Sequence, residues 1–306
     1  MAVLTPEGTP LGRTSLAPTV STRSLPKRAP RRLKVGTIVR HVVLIVFMLI
    51  VLVPLAWVLL LSIKSIPDAY RPGFWPENFD FTHYGYAINN IPTLARNMLN
   101  SVVVTASTVV ITTICAVLGG YAIVHLTLKG RAIILGLLVA SLFFPTRVTS
   151  LIAIFETQRA LGLINTTVGL ILPYVTLNLA LSVFIMRGIF EQISHELVDA
   201  AKIDGAGAWR TLLSVLLPLT RNGIVVVIIV NFVTAWGEYL LGVTLTNDQE
   251  VRTLPVVLAG AFGGMGQWAW PRIAAVYVMA IAPGMAAFAL TQRWYMRGLQ
   301  EGALKY

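Results

Sequence analysis

The sequence predicts an all-α polytopic membrane protein with six transmembrane helices and a polar helix–turn–helix loop between the fourth and fifth. Three observations carry this. Hydrophobic residues make up 56% of the 306 and charged residues only 12%, with a mean hydropathy of +0.75, far from the composition of a soluble domain. Apolar runs near the length a bilayer core demands, about twenty residues each, recur along the chain. One polar segment, residues 188–221, is much longer than a turn needs and has the spacing of two short helices.

The elements follow in order. Residues 1–40 hold eight Lys and Arg, and the first thirty contain five prolines and many Ser and Thr without apolar periodicity. They read as a disordered basic tail. Residues 41–63 carry no Lys, Arg or acid; the run is too long for a signal peptide and lacks a small-residue cleavage end, so it is an uncleaved span. Residues 64–96 form an external loop whose stretch FWPENFDFTHYGY suits the membrane interface, where aromatic belts lie. A second span covers 97–128. A third begins at Ala132 and is interrupted by Pro145 and Arg147. A fourth covers about 166–186, a fifth 222–245 with Glu238 inside it, and a sixth 273–292. The membrane-spanning domain as a whole is 41–306.

Orientation comes from Lys and Arg, which accumulate on the cytoplasmic side. With the N-terminus inside, seventeen fall inside and seven outside; without the tail the split is nine against seven. The tail therefore decides, and both termini are expected in the cytoplasm of a multi-pass plasma (inner) membrane protein. The net charge of +11 is a matter of topology. The basic residues flank apolar runs instead of clustering among aromatics on a polar domain, which argues against nucleic acid. The one cysteine, Cys115, lies in an apolar run and is read as packing. There is no HExxH and no GxxxxGK[ST], so no metal site and no nucleotide loop are expected in this chain. No His/Asp/Glu or Ser/His set at membrane depth supports an enzyme.

The loop 188–221 is expected inside. Phe190, Ile193, Leu197 and Ala200/Ala201 follow helical spacing. Ser194 suits an N-cap, with Glu196 in the first turn near the positive end of the helix dipole. Asp204-Gly205 ends that helix, since glycine takes the left-handed position freely. Trp209, Leu212, Leu213, Leu216 and Leu217 then recur as a second amphipathic stripe, limited by Pro218. Two readings fit this pattern: a helix pair lying on lipid, or a plug for another protein, with Ala200-Ala201 making a thin helix that a partner approaches closely.

Ionisable or strongly polar side chains in spans are costly and face a cavity or a partner. Glu238 and Asn231, seven apart and so on one helix face, stand with Trp236 and Tyr239 in the fifth span, and Asn178 in the fourth. Hydrogen-bonding groups beside aromatic faces are what a path for a polar solute needs. The competing reading pairs Glu238 with a second subunit or with Arg147 and makes the aromatics interface anchors.

The loop also resembles the EAA loop of ABC-importer permeases, whose pattern is EAA, three residues, Gly, nine residues, Ile, one residue, Leu-Pro. Here it reads Asp199-Ala200-Ala201, three residues, Gly205, nine residues, Val215, one residue, Leu217-Pro218. More narrowly the chain after residue 40 resembles carbohydrate-importer permeases of the maltose type, through RNMLNS (96–101), ALGLINTTVGLILPY (160–174), WGEYLLGVTLT with VRTLPVVL (236–258) and QRWYMRGLQEGALKY (292–306). It departs at Asp199 (Glu in the pattern), Val215 (Ile), Gly237 (usually Asn) and Tyr306 (often Gly). The resemblance implies a type I importer permease fold and a non-catalytic subunit forming half of a translocation path for a sugar or oligosaccharide. It implies a second permease, two ATPase subunits that bind ATP and Mg, and an extracytoplasmic solute-binding protein. It places Glu196, Asp199, Ala200, Ala201, Asp204, Gly205, Leu217 and Pro218 in the contact that couples to the ATPase, with Gly298, Glu301 and Gly302 as a second contact. Two alternatives stay open: the same machine carrying glycerol phosphate, a polyol or another solute, and an ion-coupled secondary transporter. The latter would show inverted repeats and paired intramembrane acids, which are not visible here.

Overall fold

The computed structural model describes residues 35–143, 147–264 and 268–303. The first 34 residues of the expected tail therefore lie outside the described residues, whereas 35–40 are already the first turns of a helix. By contacts the chain divides into two units, one ending at Val51 and the other starting at Leu52. The described part of the first is the opening stretch of helix α1 (Val35–Leu61). Among the described residues five helices are long and apolar enough to cross a membrane: α1, α4 (Leu94–His125), α7 (Thr167–Phe190), the helix over Ala208–Trp236, and the first part of the last helix, α13 (Trp270–Ala303).

The expected third span falls on two described helices, with residues 144–146 outside the described residues. They are α5 (Arg131–Phe143) and α6 (Arg147–Ala160). Pro145, which has no N–H to donate, falls between them in sequence, and α6 carries Glu156, Gln158 and Arg159.

The expected external loop is ordered. It contains α2 (Ile66–Ala69) and α3 (Thr82–Asn90), pinned by buried polar groups. Lys64 Nζ donates to the Gly73 carbonyl at 2.6 Å, Asp68 Oδ2 accepts the Glu77 N–H at 2.9 Å, and His83 Nε2 lies 2.8 Å from the Lys64 carbonyl.

After α7 come α8 (His195–Ile203) and α9 (Ala208–Arg210), then a π-wound stretch, Thr211–Leu216, running directly into α10 (Leu217–Trp236). The expected fifth span is thus displaced toward the loop, and Pro218 does not end the second loop helix. Proline sits in the first turn of α10, where a missing N–H and a fixed φ are tolerated. The π-wound turn before it absorbs the change of winding. The chain then unwinds at Gly237–Tyr239 and continues through α11 (Leu240–Leu245) and α12 (Leu254–Gly264).

The core of the second unit is built mainly by α4, α7 and α10. Toward α8 an apolar cluster joins Ala116, Tyr121, Met186, Phe190, Leu216 and Val227. Toward the opposite end a second one joins Val104, Leu170, Tyr174, Ala235 and Leu241. Between them each helix carries buried polar residues: Thr108 and Thr112 on α4, Asn178 and Ser182 on α7, Asn231 on α10. Asn231 Nδ2 donates to Ser182 Oγ at 2.9 Å, and Thr234 Oγ1 donates to Asn178 Oδ1 at 2.8 Å. In a bilayer, lipid is as apolar as the helix faces, so cross-helix bonds of this kind and close packing replace the hydrophobic effect as the glue.

Candidate functional site

The polar segment between α7 and α10 folds as helix, tight turn, helix. Ser194 Oγ accepts the Glu196 N–H at 3.2 Å and opens α8. At the other end Gly205 takes φ +78°. Its N–H donates to the Lys202 carbonyl at 3.0 Å, and the Ala206 N–H reaches back to Ala201 at 2.9 Å. That pair of bonds is a Schellman closure, which needs a left-handed residue at the glycine position.

One face of α8 is seated on the bundle. Val198 is buried in the apolar cluster with Phe190, Leu212 and Leu216, and Ala201 is buried beside it. Tyr121 Oη donates to the Ala208 carbonyl at 3.0 Å, and the His125 and His195 rings lie 5.4 Å apart, centre to centre. The other face is open. Glu196, Asp199, Ala200, Asp204 and Gly205 are exposed, and with them stand apolar side chains: Leu197, Ile203 (87% exposed), Trp209 (66%) and Leu213. Lys202 bonds Asp199 at 2.9 Å, and that hydrogen bond, followed by its charge, holds the Asp199 carboxyl below the usual range.

The apolar stripe read from spacing is therefore rephased. Of the residues at helical spacing, Phe190 and Ala201 are buried while Leu197 and Ala200 are exposed, and Val198 is the buried side chain between them. The residues Glu191–Ser194 break the helix between α7 and α8, so positions counted onward from Phe190 lose register. Likewise Leu212 and Leu216 turn inward while Trp209 and Leu213 turn outward, because π winding changes the angle per residue. Leu217, half-buried, and Pro218, exposed, begin α10. Trp209 and Leu213 are the outward members of the second spaced set, and Ile203, which belongs to neither set, is outward as well. Ile203 had one available signal, its place immediately before the Asp-Gly stop.

The second candidate set does not form one surface. Asn178 and Asn231 are buried between α7 and α10, with their amides engaged as described. Glu238 is not on the helix of Asn231 at all. It lies in the unwound break, buried, with Oε1 accepting the Leu241 N–H at 3.1 Å at the start of α11. The expected shared face fails because α10 ends at Trp236. Trp236 stacks on Phe232, 5.7 Å apart and 15° from parallel, and lines an apolar groove of about 630 Å³ between α10 and α13. Tyr239 is exposed. Gly298, Glu301 and Gly302 fall on the last turns of α13, whose side chains lie outside the described residues, as does that of Arg147.

Comparison with known proteins points one way. Residues 29–300 match the family model of binding-protein-dependent transport system inner membrane components. The chain is 35% identical over 256 residues to the sulfoquinovosyl glycerol transport system permease protein SmoH of Agrobacterium fabrum, covering 83% of this chain and 89% of that one. It is 30% identical over 269 residues to the diacetylchitobiose uptake system permease protein NgcG of Streptomyces coelicolor, covering 87% and 88%. A crystal structure of a bacterial ABC transporter involved in import of the acidic polysaccharide alginate superposes with a TM-score of 0.75 at 24% identity, covering 87% of this chain and 99% of that one. At that identity the likeness is one of fold.

Proposed function

The chain belongs to the family of binding-protein-dependent transport system inner membrane components, and from that premise we propose that it carries a sugar or oligosaccharide, coupled to separate ATPase subunits through α8. It is a membrane-integral permease subunit of an ABC importer and works within a multi-subunit complex. The sugar reading is supported by the transport named for its relatives, a glycoside of glycerol and a disaccharide. The remainder of the assembly is proposed to be a second permease, two ATPases that bind ATP and Mg²⁺, and an extracytoplasmic binding protein. In this reading the α8 end and both termini face the cytoplasm.

The single observation that carries the coupling role is the open face of α8. Exposed Leu197, Ala200 and Ile203 are joined by Trp209 and Leu213 beyond the turn and ringed by Glu196, Asp199 and Asp204. An apolar patch with an acidic rim, held on a rigid turn, is the profile of a protein interface. Ala200 is the thin point of that face. Ala200→Trp keeps Val198 and Ala201 seated, so the chain should reach the membrane in normal amount. Uptake should fall by tenfold or more, on the order of the 1–3 kcal/mol that one misfit side chain costs in a packed contact. The experiment is uptake of labelled sulfoquinovosyl glycerol, diacetylchitobiose and sn-glycerol 3-phosphate by the intact complex, with ATP hydrolysis measured alongside. Wild-type uptake in the tryptophan variant would remove α8 from the coupling role, and uptake of glycerol phosphate alone would overturn the sugar reading.

Solute contact, where this chain makes it, is proposed at Trp236 and Tyr239 and not at the buried Asn178, Asn231 and Glu238. Asn231→Leu should thus cost stability, about 1 kcal/mol by the usual worth of a cross-helix bond in a bilayer, and leave the KM for uptake unchanged. A KM raised several-fold with unaltered thermal stability would return Asn231 to the path.

A further inference from the structure

We infer that Asn97, Asn100 and Asn165 are positioning residues that lock the segment 245–254 to the outer ends of α4 and α7, so that movement delivered at α8 reaches the external mouth. This rests on the importer reading above. Three sequence stretches with no chemistry assigned to them, RNMLNS, ALGLINTT and VRTLP, meet at this one place.

The segment needs outside help. α10 stops at Trp236, α11 lasts six residues, and 246–253 form no helix. Backbone groups at the membrane boundary must nevertheless find partners. From α4, Asn97 Nδ2 donates to the carbonyls of Gln249 at 2.6 Å and Arg252 at 2.8 Å, and Asn100 Nδ2 donates to those of Glu250 at 2.7 Å and Arg252 at 3.1 Å. Ser101 Oγ accepts the Leu254 N–H at 2.7 Å, and Arg96 pairs with Glu250 at 2.7 Å. From the turn preceding α7, Asn165 Oδ1 accepts the N–H groups of Asn247 at 3.1 Å and Asp248 at 2.9 Å, while its own N–H donates to the Leu245 carbonyl at 2.8 Å. Asn165 holds φ +62° to do so, a region that few residues other than glycine occupy and that asparagine tolerates best.

The direction of each bond is fixed by its partner. Asn97 and Asn100 face carbonyls, so each must present its NH₂ group; Asn165 faces two N–H groups, so it must present oxygen. The clamp therefore ties the segment to two helices, through donors on α4 and an acceptor just before α7. α8 follows α7 after the short turn Glu191–Ser194, and leads through α9 and the π-wound stretch into α10. A push on α8 enters those two helices, but α10 ends before the mouth. What lies beyond it is tied to α4 and α7 by this clamp, and a rigid tie is what lets a displacement at one end appear at the other.

The bond directions supply a test that bulk or general destabilisation would not reproduce. Aspartate keeps the acceptors of asparagine and loses its donors. Asn100→Asp should break the clamp, Asn165→Asp should preserve it, and Asn165→Gly should break it while easing the backbone. The measurement is sugar taken up per ATP hydrolysed by the complete complex in proteoliposomes, using whichever labelled sugar the wild type accumulates, with thermal midpoints recorded. The ratio should drop about fivefold or more in Asn100→Asp and Asn165→Gly, the low end of typical coupling factors, with hydrolysis near wild type and Asn165→Asp unaffected. A wild-type ratio in both breaking variants overturns the inference alone. So does a parallel fall of hydrolysis, uptake and thermal midpoint, which would make the clamp mere support for the fold. Absence of ATP-driven uptake in the wild-type complex sinks the importer reading, and this inference with it.

Discussion

Gly205→Pro should leave the chain in the membrane in normal amount and reduce uptake about a hundredfold. Gly205 sits at φ +78°, whereas proline is locked near −65°. Its N–H, bonded to the Lys202 carbonyl at 3.0 Å, would be gone. Proline also disfavours the helical conformation of the residue before it, here Asp204, the last cap of α8. A substitution wrong in both φ and donor costs about 3 kcal/mol or more, which is two factors of ten in the population of the seated turn. The turn is exposed and lies outside the spans, with nothing within 4 Å of an added Cβ, so the bundle should assemble. The companion variants sharpen the result. Alanine in a left-handed position costs about 1–2 kcal/mol, and asparagine less, so uptake should rank Asn above Ala above Pro. A contact made by the glycine's surface would instead rank the variants by size, placing Ala above Asn. Membrane-fraction blots and uptake rates read both, and a proline variant transporting normally would refute the role given to the turn.

That turn is legible in the sequence, and the reasons are local. Ser194, Glu196, Asp204 and Gly205 act through bonds to residues two to four positions away, so their types and spacing carry the information. The spans were legible for a similar reason, since an apolar run of the right length has few soluble uses. What failed was whatever depended on phase across an interruption. Leu197 does not share the buried side of Phe190, and Val198 does, because the Glu191–Ser194 turn resets the helical angle. Trp209 and Leu213 turned outward because of π winding that no composition rule announces. Glu238 was placed on a face with Asn231, though α10 ends two residues before it. The clamp at Asn97, Asn100 and Asn165 was visible only as matching motifs. Its bonds from Asn97 and Asn100 join residues about 150 positions apart, and nothing in the local sequence states which carbonyls they hold.

Gly120→Val should fail in the opposite way to Gly205→Pro, by preventing assembly. An ideal Cβ at Gly120 would lie 2.9 Å from Met186 Cβ, 3.0 Å from the Arg187 nitrogen and 3.1 Å from the Met186 carbonyl carbon. Two of those three atoms are backbone, so no rotamer change relieves the clash, and valine adds two further carbons. α4 and α7 would have to part along a contact where small residues let helices approach. Overpacking costs about 1–3 kcal/mol or more, and membrane helices have no hydrophobic effect between them to absorb it. The damage should also travel. Met186 and Phe190 belong to the cluster that seats Val198 of α8, and Tyr121, next to Gly120, holds the Ala208 carbonyl. Moving α7 away from α4 therefore dismantles the socket of α8 even where the turn at Gly205 is intact. The expected result is a several-fold loss of chain from the membrane fraction and a lowered thermal midpoint, with Gly120→Ala milder than Gly120→Val. If the valine variant were recovered in full amount but did not transport, the close contact at Gly120 would be a moving joint, and α4 and α7 could not be treated as one lever.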